Sequence, residues 1–72
     1  MAMEITAPMV GKITQVLVSE GQSVSEDDPV FMLEAMKVEM PINAGADGTI
    51  ITIKAKVGDT VEAGTVLAEL ED

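Results

Sequence analysis

Short runs of alternating apolar and polar residues, each cut off within a few positions by glycine or proline, make up most of the chain. Met3-Glu4-Ile5-Thr6-Ala7 alternates, Ile50-Ile51-Thr52-Ile53-Lys54 reads the same way, and Val16-Leu17-Val18 is apolar and largely β-branched. A period of two puts successive side chains on opposite faces, the signature of a half-buried strand. Ser23-Val24 and Thr60-Val61 predict brief strands, and Val30–Glu34 and Val66–Leu70 predict longer ones. Gly11, Gly21, Gly48, Gly58 and Gly64 punctuate these runs and predict turns, bulges or positive φ. Met32–Met40 contains good helix formers, but it is too short and strand-like residues flank it. It predicts two strands joined by a tight turn.

The pattern repeats. Sliding the chain by 37 positions sets residues 3–35 against residues 40–72 without a gap. Met3/Met40, Ile5/Ile42, Ala7/Ala44, Gly11/Gly48, Ile13/Ile50, Gly21/Gly58, Val24/Val61, Leu33/Leu70 and Glu34/Glu71 are identical. That is nine of 33 positions, where about two follow from average composition. Two equivalent all-β halves predict two small antiparallel sheets facing each other, related by a pseudo-two-fold axis. Each half lends strands to both sheets. Residues 1–72 then form a single domain, with Lys37 at the exposed tip of the hairpin joining the repeats and the termini far from it.

Composition narrows the chemistry. The 72 residues include no His, Cys, Arg, Trp or Tyr, and Phe31 is the one aromatic. General acid–base work near neutral pH falls most often to His, and metal sites draw on His, Cys or converging carboxylates. A non-catalytic domain with no metal site is expected. Four lysines against thirteen acids give a net charge of −9, which disfavours nucleic acid and anionic membrane surfaces. No apolar run approaches the roughly 20 residues of a membrane helix. Met1-Ala2-Met3-Glu4 lacks the basic and apolar regions of a signal peptide, so a cytoplasmic location is expected, or the mitochondrial matrix for a piece of a eukaryotic enzyme.

Glu34-Ala35-Met36-Lys37 at the repeat junction resembles the modification motif of biotin carboxyl carrier domains in the biotin/lipoyl attachment family. Ala7-Pro8-Met9-Val10-Gly11 is similar to the opening turn of that family, and Gly21-Gln22-Ser23-Val24 and Gly58-Asp59-Thr60-Val61 to its paired Gly-Asp-x-Val segments. The similarity covers residues 3–71. At average residue frequencies the four-residue motif arises on the order of once per hundred thousand positions. The resemblance implies a flattened barrel of two four-stranded sheets, with biotin in amide linkage on Lys37. It implies a biotin protein ligase that reads Glu34, Ala35, Met36 and Val38, and biotin carboxylase and carboxyltransferase or decarboxylase partners.

Three departures stand out. Val38 occupies the place of the family's usual second Met, which predicts slower recognition without loss. Asp27 stands opposite Gly64 of the second repeat, tolerable in a left-handed conformation if the site needs one. The Val10–Val24 segment is too short for the extra loop of some bacterial carriers.

The local chemistry agrees. A carrier needs one amine clear of the body. Lys12, Lys54 and Lys56 lie in or beside predicted strands, whereas Lys37 sits at the turn. Ala35 leaves room for close approach, and Met36 is apolar and adaptable enough to fill a partner's pocket. Of the six methionines, Met1, Met3, Met9, Met32, Met36 and Met40, the core-filler reading holds for Met3, Met32 and Met40 and not for Met36, and Glu26-Asp27-Asp28 reads as a solvated loop. A lipoyl carrier of a 2-oxoacid dehydrogenase complex shares the implied fold, but its lysine usually follows Asp, so Ala35-Met36 favours biotin. Acceptance of both groups, or an unmodified interaction module, are the further readings.

Overall fold

The computed structural model describes residues 2–72; Met1, counted above among the methionines and in the domain, lies outside them. Eight strands follow one another: β1 (Ala2–Thr6), β2 (Gly11–Val16), β3 (Ser23–Val24), β4 (Pro29–Ala35), β5 (Val38–Asn43), β6 (Gly48–Ile53), β7 (Thr60–Val61) and β8 (Val66–Glu71). They form two antiparallel four-stranded sheets, ordered β1-β8-β6-β3 and β5-β4-β2-β7, and no helix occurs among the described residues. Adding 37 to each residue number carries β1–β4 onto β5–β8 and the first sheet order onto the second. Each sheet takes two strands from each half. The all-β fold with an internal two-fold, expected from the repeat, is the fold observed.

Strand ends differ slightly from expectation. The apolar Val16-Leu17-Val18 run is not a strand throughout, because β2 stops at Val16. The Leu17 N–H still donates to the Val30 carbonyl at 2.9 Å, and Val18 turns into the core. Periodicity records which side chains are buried, not where the ladder of hydrogen bonds ends.

The core lies between the sheets. Ile13, Val30, Phe31, Leu33, Ile50, Leu67 and Leu70 are fully buried, and Ile5, Val24, Ile42 and Val61 nearly so. The repeat pairs Ile13/Ile50 and Leu33/Leu70 thus occupy equivalent places. Bulges between Ile13 and Gln15 and between Ile50 and Thr52 recur at equivalent positions and bend both inner strands. Met3 and Met40 pack against the core, as expected of filler. Met32 does not: it is half-buried, with Gln15 and Pro41 as its cross-strand partners. Pro41 is tolerated because β5 is an edge strand, where a missing N–H costs little.

Gly11 and Gly48 are needed for space, not for positive φ. A Cβ on Gly11 would stand 2.6 Å from the Glu34 carbonyl and 2.9 Å from Leu33 Cδ1. On Gly48 it would meet Leu70 Cδ1 and the Glu71 carbonyl, the equivalent atoms of the other half. Gly64 is the opposite case, with φ 89° at the third position of the Glu62–Thr65 turn. Asp27 has no positive φ, so the left-handed conformation allowed for it is not used. The Ser25–Asp28 turn closes without a positive φ at its third residue. Its Ser25 N–H donates to Asp28 Oδ2 at 2.9 Å, as the Glu62 N–H donates to Thr65 Oγ1 at 3.1 Å.

These contacts set stability. Leu33→Ala and Leu70→Ala should each cost roughly 2–5 kcal/mol, and Gly11→Ala about 1–3 kcal/mol by overpacking. Urea unfolding of the three variants checks this; near-native midpoints for Leu33→Ala and Leu70→Ala would contradict the core assignment.

Candidate functional site

The β4–β5 hairpin ends with Ala35 paired to Val38, leaving Met36 and Lys37 as a two-residue connection. Two-residue hairpins match the right-handed twist of their strands through type I′ or II′ turns, and type I′ requires positive φ at both central residues. Met36 and Lys37 have positive φ, at 55° and 66°, and are the only non-glycine residues among those described that do. Such loops normally carry Asn-Gly or Asp-Gly. A side chain with Cβ costs about 1–2 kcal/mol in this region, so two adjacent residues here hold strain that a more ordinary turn would release. Strain of this kind gathers where function requires it.

The turn pushes both side chains away from the body. Met36 is 92% exposed, Lys37 is exposed, and Val38 is 58% exposed. Lys37 makes no ion pair or side-chain hydrogen bond with the described residues, whereas Lys54 pairs with Glu69 at 3.4 Å. Lys12 lies in β2 with Glu34 as its cross-strand partner, and Lys56 follows the end of β6. The turn position expected for Lys37 is where the structure has it.

One step below the tip, Glu34 and Glu39 face each other across β4 and β5, and Lys12 flanks Glu34 on β2. Like charges opposite one another are mildly unfavourable, and Lys12 offsets part of that. Both glutamates are exposed. Ala35 departs from expectation. Its methyl is buried, 6% exposed, so it offers a partner no contact surface. Of the four residues read as recognition elements, Glu34, Met36 and Val38 therefore share the exposed tip and Ala35 supports it.

The apolar surface at this end extends beyond the motif. β1 runs from the N-terminal end to the Pro8–Val10 turn, whose exit at Gly11–Lys12 lies beside Glu34. Met9 is 38% and Val10 62% exposed. The termini, where Ala2 pairs with Glu71, lie at the other end of a body measuring 33 × 17 × 16 Å. Met9 and Val10 had been read only as part of a turn. The repeat held a signal: their mates are Ala46 and Asp47, so this exposed apolar pair has no counterpart in the second half. Among the described residues there is no cleft and no cluster of potential metal ligands.

The all-β module with two interlocked halves thus carries one strained, outward-pointing lysine at its tip. Comparison with known proteins gives the family. The sequence model described as Biotin-requiring enzyme matches residues 3–70, and the chain belongs to that family. A biotin carboxyl carrier protein of acetyl-CoA carboxylase from Solanum lycopersicum is 44% identical over 68 residues, covering 94% of this chain and 97% of that protein. A biotin-dependent acyl-coenzyme A carboxylase alpha3 subunit from Mycobacterium leprae is 46% identical over 67 residues, 93% of this chain. This chain spans only 11% of that subunit. The crystal structure of Kluyveromyces lactis urea carboxylase superposes with a TM-score of 0.91 at 33% identity, covering 97% of this chain and 6% of that one.

The turn geometry makes a measurable claim. Lys37→Gly should raise stability by about 0.5–1 kcal/mol, the relief of left-handed strain less the extra entropy of an unfolded glycine. Met36→Ala should stay within about 0.5 kcal/mol of the parent, as for other surface changes. Thermal melts of both decide it. A large loss for Met36→Ala would mean that its side chain packs against the domain.

Proposed function

We propose that this chain is a biotin carrier domain in which Lys37 holds biotin in amide linkage and serves a biotin-dependent carboxylase or decarboxylase. The observation that carries the reading is Lys37 itself: an exposed, unpaired amine on a strained two-residue turn, preceded by Glu34-Ala35-Met36. The site fits the group, because amide formation needs a primary amine free of ion pairs and reachable from solvent. Membership of a family of biotin-requiring enzymes, and carrier proteins among the relatives, supports it.

The chain's own part is presentation. The left-handed turn aims Lys37 Nζ outward, and β4 and β5 hold the turn at a fixed distance from the body. Met36 and Val38 offer an apolar contact and Glu34 a charged one to a biotin protein ligase, which must supply an activated biotinyl group. The ligase must also take the ammonium proton, since no imidazole is present. Biotin supplies the carboxylate-carrying chemistry once it is bound. The domain then contributes tethering, which replaces free encounter with effective concentrations around the millimolar scale. Similarity to segments of pyruvate carboxylase and of the propionyl-CoA carboxylase alpha chain supports a biotin carboxylase as the neighbouring activity.

The experiment is the intact mass of the chain after incubation with a biotin ligase, ATP and biotin. One biotin per chain is expected, wholly on Lys37, and none on Lys37→Arg. Biotin mapped to Lys54 or Lys56 with Lys37 bare would reject the assignment. The lipoyl reading gives a second test. Biotinylation should far outpace lipoylation on the parent chain, and Met36→Asp should narrow the gap; equal parental rates would show that Ala35-Met36 does not discriminate.

A further inference from the structure

Among the described methionines Met36 stands apart. It is 92% exposed, Met9 is 38% exposed, and Met3, Met32 and Met40 are partly buried. The chain has no cysteine to intercept an oxidant first. A peroxide must reach the sulfur to react with it, so exposure orders these five thioethers, and the most reachable one adjoins Lys37. We propose that Met36 is an oxidation site at which a hydroperoxide gates the loading of Lys37. This rests on the reading above, in which Met36 enters an apolar pocket of the ligase.

The step balances. The thioether sulfur gives up two electrons and forms an S–O bond, the peroxide O–O bond breaks, and the second oxygen leaves as water, or as an alcohol from an organic hydroperoxide. The product, methionine sulfoxide, is polar and chiral where the thioether was apolar and flexible. Filling an apolar pocket with it means stripping water from the S–O dipole without a compensating hydrogen bond, which is unfavourable. The domain does not feel the change, because the Met36 side chain packs against nothing in its core. A thiol-dependent sulfoxide reductase reverses it, two thiols becoming a disulfide while the oxygen leaves as water. The strained turn thus sets the most exposed of the described thioethers beside the amine, at a position where oxidation changes recognition and spares the fold.

The test uses the intact unmodified chain. Graded hydrogen peroxide is quenched with catalase, the oxidised residue is located by peptide mapping, and the initial rate of biotinylation and the thermal midpoint are measured on each sample. Met36 should oxidise first, ahead of Met9 and well ahead of Met32 and Met40. The fraction of chains accepting biotin at the parental rate should fall in step with the fraction retaining the Met36 thioether. The midpoint should not move, and sulfoxide reductase should restore the rate. Met36→Gln, polar and unbranched, should show the depressed rate without peroxide. Whatever rate Met36→Leu has should be the same before and after peroxide. Earlier oxidation elsewhere, an unaltered rate on chains fully oxidised at Met36, or peroxide sensitivity surviving in Met36→Leu would overturn the proposal. Lys37 left unmodified in the untreated parent would instead reject the carrier reading beneath it.

Discussion

Everything in this domain depends on each half burying its apolar face against the other. Neither half closes a sheet alone, since each four-stranded sheet draws two strands from residues before Lys37 and two from residues after it. The backbone bonds that lock the halves come in matched pairs. The Ile13 N–H donates to Asp59 and the Ile50 N–H to Gln22, at 2.8 and 2.9 Å; Ala7 donates to Thr65 and Ala44 to Asp28, both at 2.9 Å. A chain of this length buries only about 60% of its unfolded surface, and here no disulfide adds to that. Interlocking the halves makes nearly every stabilising contact long-range, so the domain should unfold as one unit.

The two-fold also explains where function can sit. Positions with a repeat mate are constrained twice, once by each half's copy of the same packing problem. Gly11 and Gly48 are excluded from carrying any side chain by equivalent neighbours. Residues 36 and 37 fall between the two repeats, so no described residue mirrors them. The junction is therefore the one stretch free to carry an unfavourable backbone and an unpaired amine without disturbing a symmetric partner. Strain at Met36 and Lys37 is tolerable because the ladder from Pro29–Asn43 to Ala35–Val38 holds the turn from both sides.

Much of this was legible in the sequence, for a physical reason. Repetition doubles the signal at matched positions, so Ile13/Ile50 and Leu33/Leu70 stood out as pairs, which the structure buries, and the midpoint pointed to the tip. Of what was missed, side-chain direction at residues 32 and 35 lay in the two-residue alternation, whereas local backbone sign is not encoded in a one-dimensional pattern. Ala35 was read as an open approach, but two-residue alternation from Leu33 turns it inward. Met32 was read as core, yet the same alternation from Leu33 sets it with Glu34 on the outer face. Asp27 opposite Gly64 suggested a shared left-handed turn; the halves instead close the same corner with different third residues, and the side-chain caps from Asp28 and Thr65 make either workable.

Separating fold from function in this way has a consequence for specificity. A ligase must choose one lysine among four on a body where Lys12, Lys54 and Lys56 also reach solvent. Charge cannot make that choice, since all four amines carry the same one. Backbone geometry can, because Lys37 alone among them has positive φ and is set on a two-residue turn. Apolar contact sharpens the choice. Met36, Val38, Met9 and Val10 gather at the tip end, whereas Lys54 sits beside Glu69 and Lys12 beside Glu34. Lys56 also has an exposed apolar neighbour, Val57, at the Lys56–Asp59 turn, so it is the two-residue hairpin with positive φ that sets Lys37 apart from it. Selectivity thus follows from the shape of the hairpin as much as from its four-residue motif.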